Sequence, residues 1–142
     1  MTRTGVLIET DAGKIKESNF GVLTAARGTP GDNEVYALLL DGDAETVKAE
    51  LAAYGVGKII RIFVDTGDLA NSPDLQAAAL AEVAKAHELK ALLGIASAMG
   101  RDLFARVAAL MDLPLIADCI SVDIDEKFGV KSHFSGKTFA TV

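Results

Sequence analysis

Four short apolar runs, each leading into a stretch of helical spacing, constrain this chain more than any other feature. They are Val6 to Glu9, Val35 to Leu40, Lys58 to Val64 and Ala91 to Ala96. The third is apolar on both faces, at Ile59, Ile60, Ile62, Phe63 and Val64. Runs that are continuously apolar read as strands covered on both sides, which is how parallel sheets are built. The segments between them carry a different period. Ser18 or Asn19 caps a short helix with Phe20, Leu23 and Ala26 inward. Asp43 caps a helix from Ala44 to Tyr54 with Val47, Leu51 and Tyr54 on one face. Ser72-Pro73-Asp74 joins a cap, a proline at the first position and an acid in the first turn. The helix it starts runs to about His87, with Leu75, Ala79, Val83 and Ala86 on one side.

The stretch from Gly94 to Cys119 repeats the unit most clearly. A strand ends, Ser97-Ala98-Met99-Gly100-Arg101-Asp102 forms a tight polar turn, and a helix follows with Leu103, Val107, Leu110 and Met111 at helical spacing beside Phe104 and Ala108. In this reading Gly100 supplies an unusual backbone angle, and Asp102 lies in the first helical turn, where the macrodipole favours negative charge. Leu113-Pro114 stops the helix. From Leu115 onward the pattern is extended, with a reversal around Asp125 to Gly129. The expected architecture is α/β, with three α/β/α layers, a mostly parallel sheet and an antiparallel edge hairpin. The final Ala140-Thr141-Val142 stops inside a strand pattern, as expected of a chain cut at a domain border or of a strand that pairs with something outside it.

Length and charge narrow the function. A chain of 142 residues, half of them apolar, suffices for one domain with a real core. A net charge of -6 argues against nucleic acid, which requires a basic face. A single cysteine, Cys119, allows neither a disulfide framework nor a thiolate metal cage. No run of about 18 apolar residues is present to insert into a membrane.

In open parallel sheets ligands sit beyond the carboxyl ends of the strands. The residues falling there are Glu9, Asp41, Asp65 and Ser97, three of them acids that repel phosphate. Ser97, Gly100, Arg101 and Asp102 are the candidate nucleotide or anion contacts, through helix-start amides and the Arg101 cation. The simpler alternative is a turn that caps a helix and packs against a partner. Ser135-Gly136-Lys137-Thr138 resembles the end of a phosphate loop, but position 131 is Lys instead of Gly. Gly55-Val56-Gly57 precedes a strand where a dinucleotide fingerprint would follow one. Asp41-Gly42-Asp43 starts like a calcium loop but has Thr46 at the glycine position and Ala52 at the bidentate-acid position. His87 and His133 lack partners at metal spacing, and Cys119 beside Asp118 gains no thiolate stabilisation. Arg101 and Arg106 read as solvated or partner-facing charges. No catalytic residue emerges.

One family carries these pieces in order. The chain resembles the N-terminal domain of the alpha subunit of electron transfer flavoproteins. The shared residues are Ser97, Gly100-Arg101-Asp102-Leu103, Arg106-Val107-Ala108, Ala117-Asp118-Cys119 and the closing Gly136-Lys137-Thr138-Phe139-Ala140-Thr141-Val142. The opening Val6-Leu7-Ile8-Glu9, the Gly13-Lys14 turn and Thr24-Ala25-Ala26 fit as well. Lys137 departs from the family's usual Asn.

The resemblance implies a Rossmann-like fold, of the adenine nucleotide alpha hydrolase type, over residues 1–142. It also implies an electron carrier, not an enzyme: a heterodimer of alpha and beta subunits that takes electrons from dehydrogenases, such as those acting on acyl-CoA, and gives them to a quinone reductase or another acceptor. In that family FAD sits in the C-terminal alpha domain, whose motifs are absent here, and AMP sits in the beta subunit. This chain is therefore expected to scaffold the flavin domain and dock the beta subunit, without binding FAD. The location implied is the bacterial cytoplasm, or the mitochondrial matrix in a eukaryote. A stand-alone adenine-nucleotide-binding module using Ser97, Gly100, Arg101 and Asp102 is the alternative.

Overall fold

The computed structural model describes residues 2–28, 33–40, 44–64, 69–115, 119–123, 128–133 and 138–141. The chain runs β1 (Thr2–Leu7), a small hairpin β2 (Thr10–Asp11) and β3 (Lys14–Ile15), α1 (Ser18–Arg27), β4 (Asn33–Leu40), α2 (Ala44–Ala53) and β5 (Val56–Ile62). A 3-10 turn (Leu69–Asn71), α3 (Pro73–Ala86), β6 (Ala91–Leu93) and α4 (Ala98–Met111) follow, then β7 (Cys119–Asp123), β8 (Phe128–His133) and β9 (Thr138–Thr141).

The central sheet has the order β5-β4-β1-β6, and every neighbouring pair in it is parallel. Val6 faces Ala37 across one flank and Leu93 across the other. The two middle strands are apolar on both faces, as their sequences require. Val6, Ile8, Val35, Ala37 and Leu39 pack with Leu23 and Ala26 of α1 and Val47 and Leu51 of α2. The alternate residues Leu7, Tyr36 and Leu38 turn the other way, onto Ala77 and Leu80 of α3 and Leu103 and Val107 of α4. The result is three layers, helices on both sides of a parallel sheet. Each fully buried side chain of this size contributes about 1.5–3 kcal/mol.

β5 is an edge strand, and this corrects the expectation of a strand covered throughout. It spans Val56–Ile62, with Gly57, Lys58 and Arg61 exposed, and Phe63 beyond its end is 61% exposed. Lys58 lies over the Tyr36 ring, with Nζ 5.6 Å from the centroid, and Arg61 lies over Phe63 at 5.5 Å. Charged side chains on an outer strand oppose pairing with another chain. A register shift between Val35 and Tyr36 bends the same edge.

The antiparallel part is a sheet of its own, β7-β8-β9, and not a hairpin added to the parallel sheet. Asp41, Asp43, Asp65, Ala117, Asp118, Asp125 and Ser135 to Lys137 lie outside the described residues, so the calcium-like and phosphate-loop motifs and the expected cap of α2 fall there.

Two helices sit differently from their expected faces. In α3 the buried stripe is Gln76, Ala77, Leu80, Ala81 and Ala84, while Leu75, Ala79 and Val83 flank it and Ala86 is exposed. Ala77 and Leu80 of the stripe pack in one cluster with Leu103 and Val107 of α4, and buried Gln76 donates through Nε2 to the Leu69 carbonyl at 2.9 Å. In α4 Leu103 and Val107 are buried, but Leu110 is 58% exposed, so the apolar stripe narrows before the helix ends. The Ser72 cap is formed, its Oγ accepting from the Leu75 amide.

Candidate functional site

From β1 the chain steps outward through β4 to β5, then recrosses to place β6 on the other side of β1. The gap beyond the carboxyl ends of β1 and β6 is therefore the topological switch point, where folds of this kind hold ligands. Glu9 follows β1 into that gap, and Ser97 follows β6.

Glu9 is buried, its side chain 4% exposed. One carboxylate oxygen, Oε2, accepts the Ser97 hydroxyl at 2.7 Å. The other, Oε1, accepts from Lys16 Nζ at 3.2 Å. A buried carboxylate is costly unless it is paired and hydrogen-bonded, and here both oxygens have donors. The backbone of Glu9 is held just as firmly. Asn19 accepts from the Glu9 amide at 3.1 Å and donates through Nδ2 to the carbonyls of Glu9 and Lys16 at 2.7 and 2.8 Å. The Lys16 amide donates to the same Glu9 carbonyl at 3.0 Å. The hairpin β2–β3 and the start of α1 are thereby closed around the end of β1.

This corrects the role expected for Asn19. It is fully buried, and α1 has Glu17 at its N-cap position with no side-chain capping bond. Asn19 is a cross-link between the β1 end, the hairpin and the helix.

Ser97 is the N-cap of α4, its Oγ accepting from the Gly100 amide at 3.0 Å. The same hydroxyl thus accepts a hydrogen bond from the Gly100 amide and donates one to Glu9. Gly100 is needed for space and not for an unusual angle: it is helical, and a Cβ there would lie 2.2 Å from the Ile95 carbonyl oxygen. Gly94 obeys a similar rule, since a Cβ would come within 2.3 Å of the Phe104 ring.

Arg101 and Asp102 are exposed. The Arg101 amide bonds to the Ser97 carbonyl at 2.9 Å. Asp102 lies past the first turn of α4 because the helix begins at Ala98, and it pairs with Arg106 at 3.1 Å. Arg106 also bonds to Asp74 near the start of α3. The Asp102 hydrogen bond, first among these contacts, raises the Arg106 pKa further above its ordinary value. Of the sequence candidates, then, Glu9, Ser97 and Gly100 form one connected unit, and Arg101 and Asp102 follow it as exposed residues of α4. Lys16 and Asn19 belong to the unit and escaped the sequence reading. An Asn one residue inside a helix start carries the same local signature whether it caps or cross-links.

His87 ends α3, half-buried and edge-on to Tyr36, ring centroids 6.0 Å apart. His133 ends β8, and Cys119 begins β7. Among the described residues no three His, Cys, Asp or Glu side chains form a group suited to a metal ion, and no helix is long and apolar enough to cross a membrane.

Fold and site together define a Rossmann-like α/β domain with a buried, hydrogen-bonded carboxylate, Glu9, just beyond the strand that borders its switch point. Residues 4–142 match the electron transfer flavoprotein domain family, and the chain belongs to that family. It is 25% identical over 96% of its length to a probable mitochondrial electron transfer flavoprotein subunit alpha of Cryptococcus neoformans var. grubii, covering 40% of that protein. With the electron transfer flavoprotein subunit alpha of Bacillus subtilis (strain 168) it shares 27% identity over 96% of its length and 42% of the relative's. With the acryloyl-CoA reductase electron transfer subunit beta of Anaerotignum propionicum it shares 34% identity over 87% of its length and 32% of the relative's. The chain thus spans between 32% and 42% of the length of these relatives.

Proposed function

We propose that this domain is the N-terminal, flavin-free part of an electron transfer flavoprotein alpha subunit, and that its work is to position and dock. The observation that carries the reading is a family match over residues 4–142 in a chain that spans well under half of its alpha-subunit relatives. The parallel sheet with helices on both faces supplies a rigid body for such a role. FAD belongs to the remainder of the alpha subunit and AMP to the beta subunit. The assembled carrier takes electrons from dehydrogenases of the acyl-CoA class and delivers them to a quinone reductase or a comparable acceptor. A relative named as an electron transfer subunit of acryloyl-CoA reductase supports that substrate class. The chain performs no catalytic step of its own.

The test is purification of the 142-residue chain alone and together with a family beta subunit. The expected outcome is a colourless domain that co-elutes with the beta subunit at equal stoichiometry. Stoichiometric flavin absorbance from the chain alone overturns the flavin-free assignment. Micromolar AMP or ATP binding by the chain alone would favour the adenine-nucleotide module instead.

A further inference from the structure

We propose that Glu9 is the residue that closes this domain's switch point to phosphate, acting as a built-in anion. A phosphate entering the gap between β1 and β6 needs hydrogen-bond donors. Among the described residues the Ser97 hydroxyl and the Lys16 ammonium are side-chain donors at the end of β1, and the Glu9 carboxylate takes both, at 2.7 and 3.2 Å. The Ser97 oxygen is in turn fixed by the Gly100 amide, so the hydroxyl proton has one direction to point, toward Glu9. Asn19 and the Lys16 amide fix the Glu9 backbone through three hydrogen bonds, and Asn19 also ties down the Lys16 carbonyl, so the base of the Glu9 side chain is held in place beside Ser97 and Lys16. Its charge, buried at 4% exposure and offset only by half-exposed Lys16, disfavours a second anion beside it. The fold retains the strand order of a nucleotide-binding sheet, and one side chain at its switch point decides what can approach.

Glu9→Gln keeps the volume of the side chain and removes the charge. Glu9→Ala removes both and frees the Ser97 and Lys16 donors. Inorganic phosphate is titrated calorimetrically into the full chain and into each variant, with sodium chloride matching the ionic strength. The wild type is expected to give no saturable heat up to about 10 mM, while the variants bind phosphate at least about tenfold tighter, a gain of about 1.4 kcal/mol. Adding Lys16→Met to Glu9→Ala is expected to abolish the gain. A folded Glu9→Ala that binds no better than wild type overturns the proposal. So does saturable phosphate binding by the wild type. Melting curves supply a measurement that does not need the variants: a wild-type Tm that rises with phosphate and saturates also sinks the idea, since exclusion of phosphate from the surface raises Tm without saturating. Association with a beta subunit is not read by any of these outcomes, so their failure leaves the docking role untouched.

Discussion

Ser97 donates its hydroxyl proton to Glu9 at 2.7 Å across 88 positions of sequence, while its oxygen accepts the Gly100 amide at 3.0 Å. One side chain thereby ties the end of β1 to the start of α4. The bond joins two elements that flank the crevice and makes the cap of α4 depend on the strand beside it. A cap hydroxyl with no partner besides its own helix would be free to rotate toward a ligand. This one is committed.

Removing that hydroxyl separates the two roles. Ser97→Ala loses a helix cap, at about 1 kcal/mol, and leaves one oxygen of a buried carboxylate without its donor, at about 1–3 kcal/mol. The expected loss is about 2–4 kcal/mol in urea denaturation with an unchanged m value. Ser97→Thr, which retains the hydroxyl, should recover most of it. A loss of only about 1 kcal/mol would mean the Glu9 contact contributes nothing.

Asn19 offers a sharper contrast between a cap and a cross-link. Serine is as good a cap as asparagine, so Asn19→Ser would be nearly neutral if Asn19 acted as one. Here the side chain both accepts and donates in a fully buried setting, to the Glu9 amide and to two carbonyls. Serine is too short to span the three, and each buried group left unpaired costs about 1–3 kcal/mol. Asn19→Ser should therefore destabilise by more than about 2 kcal/mol, read from chemical denaturation.

The difference between these residues and the ones the sequence reveals is one of range. Ser72-Pro73-Asp74 announces a helix start within three residues, and the cap forms as read. Val6, Val35, Ala37 and Leu39 announce strands buried on both faces because their neighbours are apolar too. Asn19 sits in an equally familiar local pattern, but its partners are Glu9 and Lys16, and only the path of the hairpin brings them to it. The face of α3 was misplaced for a related reason. Leu75 and Val83 share one period with the alanine-rich stripe beside them, and tertiary packing buries the stripe and leaves those two at its flank. Glu9 and Ser97 were each legible as strand-end residues; their contact required the strand order.

Arg106 tests the opposite regime. Its partners Asp102 and Asp74 are exposed, at 52% and 89% of their side chains. Ion pairs of this kind contribute little and are screened by salt. Arg106→Ala should lower the Tm slightly at low salt and not at all at about 1 M sodium chloride, where the Debye length is about 3 Å. The raised pKa of Arg106 adds stability that is complete below the ordinary arginine value and is lost only above it. Its contribution should therefore be flat with pH across the neutral range. A difference between wild type and variant that persists at high salt would count against this account.

Gly100 sets two principles against each other, and the structure says which prevails. Glycine inside a helix costs about 1 kcal/mol relative to alanine, so propensity alone makes Gly100→Ala stabilising by that amount. The added Cβ, however, would stand 2.2 Å from the Ile95 carbonyl oxygen, a backbone atom that no rotamer change can move. Ile95 leads into Ser97, so a shift that relieves the clash must displace the cap and with it the hydrogen bond to Glu9. Overpacking of this kind costs about 1–3 kcal/mol before the cap is counted. Losing the cap adds about 1 kcal/mol more. Gly100→Ala is expected to destabilise by about 1–3 kcal/mol in urea denaturation despite the better helix former. Gly21→Ala, on α1 where a Cβ meets nothing within 4 Å, should by contrast stabilise by about 1 kcal/mol. If both substitutions stabilise equally, the close approach of Ile95 to α4 is not a feature of the folded protein.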